Sequence, residues 1–129
     1  HPAMPIEAIL KSLNIDSRKC GYEIKNNPIE TLLNNVAIVM AGSTTVALEA
    51  LAFGCSIILP VFSDNMFMSP LNGYEKYYTK IYDPDGLKHT VQVLLGKDVK
   101  HESIVDAKQF ISRYWYLDES LGNWEKLLS

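Results

Sequence analysis

The chain reads as an α/β domain with a mostly parallel sheet and helices on both faces. Three observations predict it. Residues 36–41 and 55–62 are nearly continuous apolar runs, the composition of strands buried on both faces. Between them, residues 44–53 carry a helical pattern that ends at Gly54, where a left-handed helix stop is expected. Along the rest of the chain, short strand-like runs alternate with helix-period segments, the order that builds a parallel sheet.

From the start, residues 5–13 predict a helix, with Pro5 in its first turn and Ile6, Ile9, Leu10 and Leu13 at helical spacing. Residues 21–25 alternate as a short strand would. A second helix spans 28–34, with Asn27 as its cap and Ile29, Leu32 and Leu33 as its buried face. The 36–41 strand, the 44–53 helix and the 55–62 strand follow. Residues 63–73 form a methionine-rich loop, 74–78 a helical turn and 80–82 a short last strand. Asp83, Pro84 and Asp85 open a helix that runs to about Leu95, with Leu87, Val91, Leu94 and Leu95 inward. From Glu102 a long helical pattern reaches Tyr116. A break at residues 118–120 precedes a last segment bearing Leu121, Trp124, Leu127 and Leu128. No repeat or interdomain linker divides the chain, so 1–129 is expected to be a single domain with 102–129 as a helical tail.

Composition narrows the function classes. With 47% hydrophobic and 21% charged residues, the 129-residue chain can bury a real core. A formal charge of −3 leaves no basic footprint, so no nucleic-acid partner is expected. Cys20 and Cys55 have no metal-like spacing, and no two of the three histidines do. Both cysteines flank expected strands and read as buried, reduced thiols, which fits a cytoplasmic setting. No charged segment precedes an apolar block, so no signal peptide is expected. The apolar region around Glu49 is too interrupted to span a membrane.

In open parallel sheets, ligands bind beyond the carboxyl ends of the strands. Two segments fall there, 42–45 and 63–69. Gly42 allows a sharp turn, and the helix start behind it offers orphan N–H groups and the positive end of the helix dipole. Ser43, Thr44 or Thr45 can hydrogen-bond a phosphate there, or Ser43 can simply cap its own helix. Glu49 is the only charged side chain between Val36 and Val61, and burying a lone carboxylate is costly. It follows Thr45 by four residues, so the two share a helix face. From there it can accept hydrogen bonds from a ribose, or serve as a surface acid. Asp64 and Asn65 follow the second strand and suit a sugar or an acceptor, and equally a plain turn. His1 beside Pro2 offers an imidazole to a phosphate; by position it is simply a terminal histidine. His89 and His101 lie among lysines and are expected to be solvated. Tyr114, Trp115, Tyr116 and Trp124 suit core packing or docking against another domain, and Met66, Phe67 and Met68 an apolar lid or interface.

In order along the chain stand His1-Pro2, an apolar strand ending in Gly-Ser-Thr-Thr, Val-Ala-Leu-Glu-Ala-Leu-Ala-Phe-Gly54, and Ile-Ile-Leu-Pro60. This order resembles the Rossmann-like C-terminal half of GT-B glycosyltransferases, most of all bacterial enzymes of capsule, O-antigen and other surface carbohydrate synthesis. The tail, with Phe110-Ile-Ser-Arg-Tyr-Trp-Tyr-Leu-Asp118 and Trp124-Glu-Lys-Leu-Leu128, is similar to the end of that group. The resemblance implies a nucleotide-activated sugar as donor, linked to CMP, CDP, UDP or GDP, and a glycan or lipid-linked acceptor. It assigns His1, Ser43 and Thr44 to the donor phosphate and Glu49 to the ribose, with His1 as a candidate proton donor. The implied scheme needs no cofactor and no metal.

In the same group the general base belongs mostly to the N-terminal domain, and further strands precede the His-Pro pair. The sheet is therefore expected to be incomplete at its N-terminal side, and the fragment inactive alone. A cytoplasmic place, at the inner face of the membrane by peripheral association, is the implied location, and self-association is open. Two alternatives stand beside this reading. One is a sugar-nucleotide epimerase, though that group favours an Asp-Ser-Gly-Gly turn with paired acids. The other is a non-catalytic interaction module.

Overall fold

The computed structural model describes residues 5–16, 19, 21–61, 68–96 and 101–114, with the side chains of 101–104 and 114 excepted. Along them run α1 (Ile6–Ser12), α2 (Ile29–Leu33), β1 (Ile38–Met40), α3 (Val46–Ala52), β2 (Ser56–Pro60), a 3₁₀ turn (Glu75–Tyr77), β3 (Tyr78–Ile81), α4 (Pro84–Leu95) and α5 (His101–Tyr114). The three strands form one parallel sheet in the order β1-β2-β3. The chain is thus an α/β protein with a small open parallel sheet, and α3 connects the first two strands.

Register explains how the sheet is covered. Val39 pairs with Ile57 and Ile57 with Tyr78, so these side chains share one face. With Leu59 they join a core that takes in Ala47, Leu48, Ala50 and Leu51 of α3, Leu33 of α2, and Ala107 and Phe110 of α5. The alternate residues Ile58 and Ile81 point the other way and are also buried. Helix α4 packs against β3 and β1 and contributes nothing to the first core, so it lies over this second face. The central strand therefore reads as continuous apolar sequence because both its faces are covered.

β1 departs from that expectation. It is an edge strand, Ile38 and Val39 are half-buried, and Met40 is 57% exposed. Its continuous apolarity marks burial that this sheet supplies on only one side. The expected strand at 21–25 is a plainer correction. Those residues are exposed and pair with no strand, while Glu23 and Lys25, on the same side of the chain, bridge at 2.7 Å. Alternation specifies a strand only where a neighbour offers an edge. Helix α2 starts one residue late, with Pro28 rather than Asn27 at its N-cap and no side-chain cap. Leu95, expected inward, is 64% exposed.

Other boundaries follow local chemistry closely. Gly54 takes φ +82°, its N–H donates to the Leu51 carbonyl and the Cys55 N–H to that of Ala50, which closes α3 with a paired stop. Asp83 caps α4, its Oδ1 accepting from the Gly86 amide at 2.6 Å, with Pro84 in the first turn. The Cys55 thiol is free and buried, donates to the Val36 carbonyl at 3.2 Å, and is pushed up in pKa by burial. Cys20 lies outside the described residues. Helix α5 is held on one side by Phe110 between the rings of Tyr74 and Tyr77, at centroid distances of 4.7 and 4.6 Å. On the surface beside them, Lys76 and Tyr77 both donate to Asp106 Oδ2. Among the described residues no helix is long and apolar enough to cross a membrane.

Candidate functional site

The turn between β1 and α3 lies at the carboxyl edge of the sheet. Ala41 is buried and donates its N–H to the Ile58 carbonyl at 3.0 Å. In this register the next donor across to β1 would be residue 60, which is proline and has no N–H. Pairing between β1 and β2 ends there, while Val61 still donates to Ile81 of β3 at 2.8 Å. Pro60 thus separates β1 from its neighbour at the point where the turn begins. Sequence reading passed over this role; the signal was a proline at the end of a buried strand.

Within the turn, bonding is sparse. The Thr44 amide donates to the Gly42 carbonyl at 3.0 Å, and Thr44 Oγ1 accepts from the Val46 amide at 3.3 Å. The Thr44 and Thr45 carbonyls accept the first helical amides, those of Ala47, Leu48 and Glu49. Among the described residues, the amides of Gly42, Ser43 and Thr45 meet no acceptor. Ser43 is exposed and does not cap the helix; Thr45 stands at the N-cap without a side-chain bond. The expected choice between capping and free hydroxyls is therefore divided, with Thr44 occupied locally and the Ser43 hydroxyl outside the helix's own bonding.

Gly42 is exposed at the start of the turn. Its φ lies outside the left-handed region that favours glycine, so the turn does not require it sterically. A Cβ built there would meet no atom within 4 Å.

Helix α3 begins at Val46, two residues later than expected, and has only seven residues. Its dipole is correspondingly short, and local amides and hydroxyls carry most of what the turn offers an anion. Ala47, Leu48, Ala50 and Leu51 of this helix are buried. Thr45 and Glu49 lie together on the face away from them, Thr45 exposed and Glu49 half-buried. The Glu49 carboxylate has no hydrogen bond or ion pair among the described residues. It is thus neither sealed in the core nor neutralised by a basic side chain.

The structure brings together Gly42, Ser43, Thr44, Thr45 and Glu49. His1, Asp64 and Asn65 lie outside the described residues, as do Met66, Phe67, Trp115, Tyr116 and Trp124. Met68 is exposed, and His89 is exposed on α4, away from the turn in sequence and element. Among the described residues no three His, Cys, Asp or Glu side chains gather as a metal site would require. The turn can accept an anion by backbone and hydroxyl donors, with a carboxylate acceptor one helical turn beyond. Compared with known proteins, the chain matches no family model, no curated protein and no solved structure.

Proposed function

We propose that this chain is the donor-binding half of a GT-B glycosyltransferase of bacterial surface carbohydrate synthesis. The observation that carries the reading is the 42–45 turn at the carboxyl edge of a parallel sheet, where three amides meet no acceptor among the described residues and Ser43 is exposed. That is the chemistry a nucleotide phosphate demands. Glu49, half-buried and unpaired one turn further, supplies the acceptor that a ribose diol demands. The resemblance in the 42–49 block supplies the reaction class, which the turn alone does not.

In this reading the donor is a sugar linked to CMP, CDP, UDP or GDP, and the acceptor is a glycan or lipid-linked hydroxyl. The acceptor oxygen attacks the anomeric carbon and the bond from that carbon to the nucleotide phosphate oxygen breaks, with inversion. The electron pair leaves on the phosphate, whose growing charge is met by the amides of the turn and the Ser43 hydroxyl. The acceptor proton passes to a general base in the other half of the enzyme, and His1 is the candidate donor of a proton to the leaving phosphate. Further strands pair with the open edge of β1, so that the complete half is Rossmann-like with helices on both faces. The enzyme works at the inner face of the membrane, where lipid-linked acceptors are built.

The test is thermal protection of the complete enzyme by a panel of nucleotides. A ligand at 100 times its Kd raises stability by about 2.7 kcal/mol. One of CMP, CDP, UDP or GDP is expected to raise Tm, and Ser43→Ala to reduce the rise. Indifference to all four, together with self-association, would instead mark a non-catalytic module. Turnover of a nucleotide sugar with no acceptor present would mark an epimerase.

A further inference from the structure

We draw no further inference here: the strongest candidate, the open edge of strand β1 with Met40 exposed on it, carries nothing because nothing in the structure shows what covers it.

Discussion

Thr44 Oγ1 accepts a hydrogen bond from the Val46 amide at 3.3 Å, which turns one hydroxyl of the 42–45 segment inward while its neighbour Ser43 stays exposed. The two side chains differ by one methyl and one position, yet they have separate roles. Thr44 shapes the start of α3, and Ser43 takes no part in it.

Their substitutions should separate accordingly. Thr44→Ala removes the local bond and is expected to lower stability by about 0.5–1.5 kcal/mol, read by urea denaturation. Ser43→Ala is expected to leave the urea midpoint unchanged and to weaken nucleotide binding. A hydrogen bond to a charged phosphate contributes about 1.5–3 kcal/mol, so calorimetry should find affinity lower by about 10- to 100-fold.

Gly42→Ala offers a sharper separation of fold from function. The backbone there is open to any residue and the new methyl meets no atom, so stability should be unchanged or higher by about 0.4–1 kcal/mol. In the proposed reading the methyl crowds a phosphate bound at the turn. Nucleotide affinity is expected to fall at least tenfold while Tm holds; a variant that binds as tightly as the parent would remove Gly42 from the site.

Glu49→Gln keeps the size of the side chain and removes its charge. If the carboxylate holds the ribose, affinity for a nucleoside diphosphate drops by about tenfold, in line with charge-assisted bonds being the stronger class. Affinity for inorganic pyrophosphate should not change, because the phosphate cradle is intact. Equal losses for both ligands would show that Glu49 acts through the turn and not on the sugar.

The local chemistry at α3 and α4 was legible from residue types alone. Gly54 and Asp83 act within their own turns, so no distant partner can overrule them. Residues 21–25, and the full burial expected of β1, were misread for the opposite reason. A strand's pairing and the burial of its second face belong to neighbours, and Tyr22, Ile24 and Met40 carry the right pattern without them. Of the candidate site, the sequence named the segment 42–49 and left the bonding within it open. Glycine at 42 does not take the left-handed backbone its residue type permits, and the division between Ser43 and Thr44 depends on a single hydroxyl rotor that spacing does not reveal.

The surface bond between Lys76 and Asp106 makes a prediction independent of function. Lys76 and Tyr77 hold the Asp106 carboxyl below its ordinary pKa, and Asp106 raises that of Lys76. The carboxylate's contribution is present above its unfolded pKa of about 3.9 and is lost as pH falls through the lower folded value. The lysine's is present below its unfolded pKa of about 10.4 and is lost as pH rises through the raised folded value. The difference in urea midpoint between parent and Asp106→Asn should therefore be greatest across the neutral range and close at both acid and alkaline extremes. Both groups are exposed, so the difference should be small and should shrink further in high salt.

The most direct measurement of the central claim is an amide chemical-shift titration of the full-length protein with CMP, CDP, UDP and GDP. The account predicts that one nucleotide moves the amide signals of Gly42, Ser43 and Thr45 saturably, while the Val46 amide, already bonded to Thr44, moves less. Saturable binding that leaves all three signals in place would contradict it.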